Sequence, residues 1–267
     1  MKEEYFPQNE YHTPPDMPRK LGDRLLMGSR VYFMSRFLGY LFKSRRIALE
    51  GKYDRAAWVH ASYEFYQLIE ECGGRFHITG LEHFRDLKEP IVFIGNHMST
   101  LETMVMPFFV ASVMEATYVV KERLVTGPFF GPIMRARDPI PVGRTNPRED
   151  FKRVINEGCE KLARGVSIII FPQNTRKVEF IPEEFNSIGV KLASRAGVRV
   201  IPVALKTDWW GNARWAKAFG PIDRSKPIHF AFGPPISIKS PGGRDENQQI
   251  IAFIQSHLRQ WEAEEKL

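Results

Sequence analysis

Asn96, His97, Met98, Ser99, Thr100, Leu101 and Glu102 place a histidine and a carboxylate five positions apart. They lie between an apolar run at 91–94 and a second apolar stretch at 101–113, where a strand is expected to feed a helix. A neutral imidazole at a strand end can take a proton from a hydroxyl. A carboxylate on its other nitrogen fixes the tautomer and stabilises the imidazolium that forms. The same letters also satisfy a helix start. Ser99-x-x-Glu102 fits a capping box, with Ser99 as N-cap and Glu102 three residues on. On spacing alone both readings stand. No Ser or Cys occupies a nucleophile elbow, so the attacking hydroxyl is expected to come from a substrate.

Three later segments carry further candidates. Lys121-Glu122-Arg123-Leu124 is followed by Gly131 and by Pro141-Val142-Gly143-Arg144. Arg144 ends a predicted strand, where a guanidinium can grip a phosphate with two parallel hydrogen bonds; the plainer reading is a surface charge. Ile170-Phe171-Pro172-Gln173-Asn174-Thr175-Arg176 runs from a buried strand into a loop. Its backbone N–H groups, the Thr175 hydroxyl and Arg176 can together bind an oxyanion, and the alternative is an ordinary strand-to-helix turn. Val200-Ile201-Pro202-Val203-Ala204-Leu205 has no reactive group. Pro202 there predicts a bulge or a sheet edge, and the segment would shape a wall or an acyl tunnel.

The elements that must hold these residues alternate. Strands are predicted at 76–79, 91–94, 117–120, 166–171, 198–205 and 228–233. Helices are predicted at 100–114, 122–136, 147–164, 186–196 and 244–265. This is the pattern of an α/β domain with a mostly parallel sheet flanked by helices. Ahead of it lies a polar, proline-containing leader at 1–20. Residues 21–46 follow, where Leu25, Leu26, Phe33, Phe37, Leu38, Leu41 and Phe42 are interleaved with Arg24, Arg30, Arg36, Lys43, Arg45 and Arg46. Such a basic amphipathic helix either lies in a membrane interface or packs on the core. A second helix at 53–72 is closed by Gly73-Gly74. The expected division is a leader with membrane-interacting helices at 1–74 and an α/β domain at 75–267.

Composition narrows the partners. A net charge of +7 points to an anionic partner, namely a phospholipid surface, a phosphorylated substrate or nucleic acid. The charge is dispersed and no RNA-binding signature or zinc-finger spacing occurs, which disfavours nucleic acid. Two cysteines, Cys72 and Cys159, form no C-x-x-C pair; no disulfide framework or metal site is expected, and a reducing compartment is. No secretory leader and no transmembrane helix are expected.

Taken together, the segments resemble the glycerolipid acyltransferases, the family of bacterial 1-acylglycerol-3-phosphate acyltransferase. The family's N-H-x-x-x-x-D is met by Asn96, His97 and Glu102. Its phosphate-binding arginine is met by Arg144, with Lys121 and Gly131 upstream. Its F-P-E-G-T-R is met by Phe171, Pro172, Gln173, Asn174, Thr175 and Arg176, and its V-I-P-V by Val200 to Val203. The resemblance spans about residues 75–205. It implies His97 as general base supported by Glu102, with Asn96, Lys121, Arg144, Gln173, Asn174, Thr175 and Arg176 around a lysophospholipid-type acceptor. It implies an acyl-CoA or acyl carrier protein thioester as co-substrate, no other cofactor, and a peripheral or monotopic place on the cytoplasmic face of a membrane. Two departures stand out. Glu102 replaces Asp and adds a methylene. Gln173-Asn174 replaces Glu-Gly, which removes a charge and a flexible glycine, and is expected to alter acceptor choice toward, for example, a lyso-aminolipid. Loss of catalysis in a lipid-binding relative is the remaining alternative.

Overall fold

Short apolar runs that can be buried on both sides build a central sheet, and the amphipathic segments between them cover it. The computed structural model describes residues 9–26, 29–213 and 220–265. In chain order the elements are β1 (Tyr11–His12), α1 (Leu21–Leu25), α2 (Arg30–Leu49), α3 (Arg55–Glu71), β2 (Phe76–Thr79), α4 (Glu82–Arg85), β3 (Val92–Gly95), α5 (Leu101–Val110) and β4 (Ala116–Lys121). Then come α6 (Glu122–Thr126), α7 (Gly131–Arg135), β5 (Ile140–Val142), α8 (Pro147–Ala163), β6 (Ser167–Ile170), α9 (Ile188–Ala196), β7 (Val200–Lys206), β8 (Ile228–Phe232) and α10 (Arg244–Glu264). The eight strands lie in the order β1-β2-β8-β7-β3-β6-β4-β5. From β7 to β5 every pairing is parallel, while β8 runs antiparallel to β7 and β1 antiparallel to β2.

Alternation along the strands sorts the core into two layers. Phe93, Ile169 and Ile201 face a cluster built with α2, α3 and α5. Val92, Ile94, Ile168, Ile170 and Val200 face a second cluster with α8, α9 and α10. Helix α9 comes close enough that a Cβ on Gly189 would lie 2.7 Å from Ile94 Cδ1, which is why glycine stands there.

Pro202 sits in the interior of the sheet, not at an edge. Its carbonyl accepts a hydrogen bond from Gly233 N–H at 2.9 Å, and the next contact on that side is Val200 with Ile236. The partner chain is looped out between these points, so no ladder acceptor faces the missing N–H.

The predicted helix at 21–46 is two helices, α1 and α2, with residues 27–28 outside the described set; residues 1–8 of the leader also lie outside it. The predicted helix at 122–136 is likewise two, α6 and α7, separated at Gly127-Pro128. Helix α2 divides its apolar residues between two environments. Phe33, Phe37 and Leu41 are buried. Phe33 meets Trp209 and Trp210 edge-on, at centroid distances of 5.5 and 5.0 Å. Val31, Leu38, Phe42 and Leu49 on the same helix are exposed.

The buried half of α2 gives a stability test. Phe33→Ala removes a fully buried ring and is expected to cost about 3–5 kcal/mol. Val31→Ala, on the outer side, is expected to cost less than about 0.5 kcal/mol. Urea unfolding midpoints of the two variants measure the difference. Equal small effects would mean that α2 does not belong to the core.

Candidate active site

The parallel half of the sheet delivers the candidate residues to one edge. β3 leads to His97, β6 to Gln173 and Arg176, β4 to Lys121 and Arg123, β5 to Arg144, and β7 to Thr207. Loops outside the carboxyl ends of neighbouring parallel strands form a crevice, the usual place for a ligand in an open α/β sheet.

Within it His97 Nδ1 lies 2.8 Å from Glu102 Oε1, and the Glu102 side chain is fully buried. Oε1 also accepts from the N–H groups of Met98 and Ser99, each at 2.8 Å. Oε2 lies 2.8 Å from Ser99 Oγ and accepts from Thr207 Oγ1 at 2.6 Å. Helix α5 begins one residue later than the capping box requires, with Thr100 at the N-cap and no side-chain cap bond; the Glu102 carboxylate instead gathers the 97–99 turn and holds the imidazole. The other ring nitrogen, Nε2, has no hydrogen-bond partner among the described residues, and the side chain is 17% exposed. Phe171 stacks on the ring at 4.8 Å.

Two candidates bond to the backbone around the pair. Asn96 spends its amide on Leu205, giving Nδ2–H to the carbonyl and taking the N–H, both at 2.8 Å. It extends the β3–β7 ladder through a side chain. Gln173 is buried, and its Oε1 accepts from His97 N–H at 2.6 Å. It is turned to the backbone of the histidine instead of the open crevice. Asn174 is exposed, and its backbone does not enter the left-handed region, so nothing at that position demands glycine. Thr175 is half-buried beside it.

The cations act on His97 from around it. Arg176 donates to the Thr100 hydroxyl. Arg144 has φ of 65°, a left-handed conformation costly for a residue with a Cβ. Asp150 holds it there, accepting from Gly143 N–H at 2.8 Å and Arg144 N–H at 2.7 Å. Lys121 closes β4 opposite Val142 of β5. Burial pushes the guanidiniums of Arg144 and Arg176 below their ordinary value; Asp150 and Glu102 respectively oppose this, and the charge of Arg123 adds to it at both. Burial also pushes His97 below the ordinary imidazole value. Hydrogen bonding and charge from Glu102 oppose this without overcoming it, and Arg176 and Arg144 push the same way as burial. Glu102 is raised by burial, but its hydrogen bonds from His97 and Thr207 more than offset that and leave it below the usual carboxylate range. The pair is therefore a neutral base on an ionised carboxylate.

A histidine–carboxylate pair beside an arginine rim, on an open α/β sheet, defines the class of site. The profile of the acyltransferase family matches residues 75–206. A 1-acyl-sn-glycerol-3-phosphate acyltransferase of Pseudomonas aeruginosa is 31% identical over 188 residues, covering 68% of this chain and 68% of that one. A chloroplastic enzyme of the same name from Arabidopsis thaliana is 26% identical over 149 residues, 55% of this chain and 38% of the relative. The crystal structure of a 1-acyl-sn-glycerophosphate acyltransferase from Thermotoga maritima has the same fold, with a TM-score of 0.63 at 19% identity, covering 90% of this chain and 96% of that chain. The chain belongs to this family: it is an acyltransferase of the 1-acyl-sn-glycerol-3-phosphate acyltransferase type.

Sequence does not single out Arg123 and Thr207 as site residues. Arg123 lies in a segment whose pattern marks Lys121 instead. Thr207 lies just past the apolar run of β7, with nothing in its spacing to mark it.

The electrostatics fix a pH dependence. The folded His97 pKa lies below its unfolded value of about 6.5, so the unfolded chain binds more protons in that window. The stability contributed by the neutral ring is complete above the unfolded value and drains as pH falls through the window. The acid limb of kcat/KM is expected below about 6.5. Glu102→Gln removes a charge that raises His97, so it should move the limb lower still and cut kcat roughly a hundredfold or more. A pH–rate profile measures both. An upward-moving limb would contradict the assigned charge balance.

Proposed function

We propose that the chain moves a fatty acyl group from a thioester, on coenzyme A or acyl carrier protein, to a hydroxyl of a lysophospholipid-type acceptor, with His97 as general base. The observation that carries this reading is the His97–Glu102 pair with Nε2 left open beside Arg144 and Arg176. Nε2 accepts the proton of the acceptor hydroxyl as its oxygen attacks the thioester carbonyl. The tetrahedral intermediate collapses with cleavage of the C–S bond, and the imidazolium returns the proton to the departing thiolate. Glu102 keeps Nδ1 protonated and stabilises the imidazolium between these steps. Arg144 and Arg176 hold the acceptor's phosphate, which agrees with the lysophosphatidate acceptor named in the relatives. The intact pair and both arginines favour a catalyst over a drifted lipid-binding relative.

Thioester turnover with a panel of lysophospholipid and lyso-aminolipid acceptors tests the reading. His97→Ala should lower kcat roughly a hundredfold or more. Lysine at position 144 or 176 keeps the charge but loses the two-pronged geometry, and should raise the KM of a phosphate-bearing acceptor. Near-normal turnover in the alanine variant would remove the base assignment. Unchanged kinetics in both lysine variants would remove the anion site.

The reading includes work at a membrane surface. No described helix is long and apolar enough to cross a membrane. The outer side of α2 exposes Val31, Leu38 and Leu49, and α1 exposes Leu21 and Leu25, with Arg24, Arg30, Arg36 and Arg46 among them. Apolar residues edged by arginines fit the boundary of an anionic leaflet. Deleting residues 1–46 cannot test this, because Phe33, Phe37 and Leu41 would leave the core. A triple change of Val31, Leu38 and Leu49 to serine should weaken binding to anionic vesicles with little change in melting temperature. Equal vesicle binding by variant and parent would refute the membrane role of α2.

A further inference from the structure

Thr207 is fully buried, lies just beyond the strand that forms the far wall of the crevice, and takes part in no step described above. Its hydroxyl donates to Glu102 Oε2 at 2.6 Å and lies 3.0 Å from Ser99 Oγ. Its position is set from both sides: its N–H points to Met98 Sδ at 3.2 Å, and Leu205, two residues earlier, is bonded at both backbone groups to Asn96. We propose that Thr207 is a positioning residue for the reaction, which holds Oε2 of Glu102 so that Oε1 faces His97 Nδ1. The inference rests on His97 acting as the base.

The geometry gives Thr207 this task through the length of Glu102. A glutamate has one more rotatable bond than an aspartate, and its terminal carboxylate rotates broadly. The N–H groups of Met98 and Ser99 fix Oε1 near His97, and Ser99 also reaches Oε2 through its N–H at 3.1 Å and its Oγ at 2.8 Å, but all of these donors sit on the one turn that carries the pair. A donor on Oε2 from outside that turn ties the carboxylate to the sheet as well. Thr207 supplies it from β7, a different element from the loop and helix that carry the pair, so the carboxylate is clamped between neighbouring strands' ends. The same hydrogen bond draws charge toward Oε2 and away from His97. Its removal therefore acts on the base in two ways: the imidazole is less well aligned, and the carboxylate charge beside it is less dispersed.

The test compares Thr207→Val, which keeps the shape, with Thr207→Ser, which keeps the hydroxyl. It measures kcat, acceptor KM, the pH profile of kcat/KM and melting temperature in the full chain. Thr207→Val should lower kcat about three- to tenfold, in line with loss of one oriented hydrogen bond. It should leave acceptor KM unchanged and move the acid limb upward, because an undispersed carboxylate favours the imidazolium. Thr207→Ser should restore both kcat and the limb. On a Glu102→Gln background, Thr207→Val should add no comparable loss, since the route through the carboxylate is already cut. Full kcat with an unmoved limb in Thr207→Val would overturn the proposal. So would a loss of kcat that persists undiminished on the Glu102→Gln background with a lowered melting temperature, which marks a structural role alone. His97→Ala in the same assay separates the two layers of the argument. Near-normal turnover there removes the base assignment and the role of Thr207 with it. Lost turnover there, with an unmoved limb in Thr207→Val, removes Thr207 only.

Discussion

A buried carboxylate is the constraint around which this site is arranged. Glu102 has no exposed side-chain surface, and an unpaired ionised group in such a place would cost far more than any single contact returns. It is kept ionised by donors that come from three directions: the His97 ring, the Met98–Ser99 backbone, and the Thr207 hydroxyl. Each donor is fixed by something larger. The backbone groups belong to the turn between β3 and α5, and Thr207 is held at the end of β7. Removing the carboxylate would therefore loosen the start of α5, the histidine and the β3–β7 junction together.

The imidazole is set between opposing charges. Glu102 favours its protonated form, whereas burial and two arginines favour the neutral one, and the latter prevail. A base must be neutral before it takes a proton and must be supported after it. With His97 as the proposed base, the two requirements would fall to different neighbours, so neither the arginines nor the carboxylate can be judged by its effect on a single pKa. The arginines that suppress protonation at rest also form the positive rim that an anionic substrate would neutralise on binding. That neutralisation would relieve the imidazolium at the step where it forms.

How much of this is legible in the sequence follows from the range of each interaction. The strands of the parallel half, the helices at α8, α9 and α10, and the His97–Glu102 pair are local patterns: alternation, amphipathic spacing, and a five-residue interval. Spacing cannot separate a cap from an orienting acid at Ser99-x-x-Glu102, because the Ser99 N–H bond that suggests a capping box is made by the same carboxylate that holds His97, and the helix itself starts after Thr100. The backbone bonds of Asn96 and Gln173 are hidden from the sequence for a related reason. Both are polar residues next to reactive ones, but their partners, the Leu205 backbone and the His97 N–H, are supplied by distant parts of the chain. Strand β1 escapes a reading of periodicity because two residues carry no period. The fate of α2 stays open in the sequence because it has apolar residues on two sides, and the structure buries one side while exposing the other.

The antiparallel half of the sheet explains where the chemistry stops. β8 reverses direction against β7, so its carboxyl end lies at the opposite edge, and β2, parallel to β8, reverses with it. β7, β3, β6, β4 and β5 point their carboxyl ends at the crevice, and each carries a residue assigned to it. β7 is the last of these, and the chain leaving it must be anchored before it turns back. Lys206 and Asp208 pair at 3.0 Å, and each has a second partner, Glu265 at 2.6 Å and Lys226 at 2.5 Å. The buried Lys206 and Asp208 flank Thr207 on both sides in sequence. Breaking one partner of such a pair leaves a charge stranded, so the local backbone has little freedom to drift. The hydroxyl that clamps Glu102 is thus held by the reversal of the sheet itself, which joins the boundary of the site to the precision of its base.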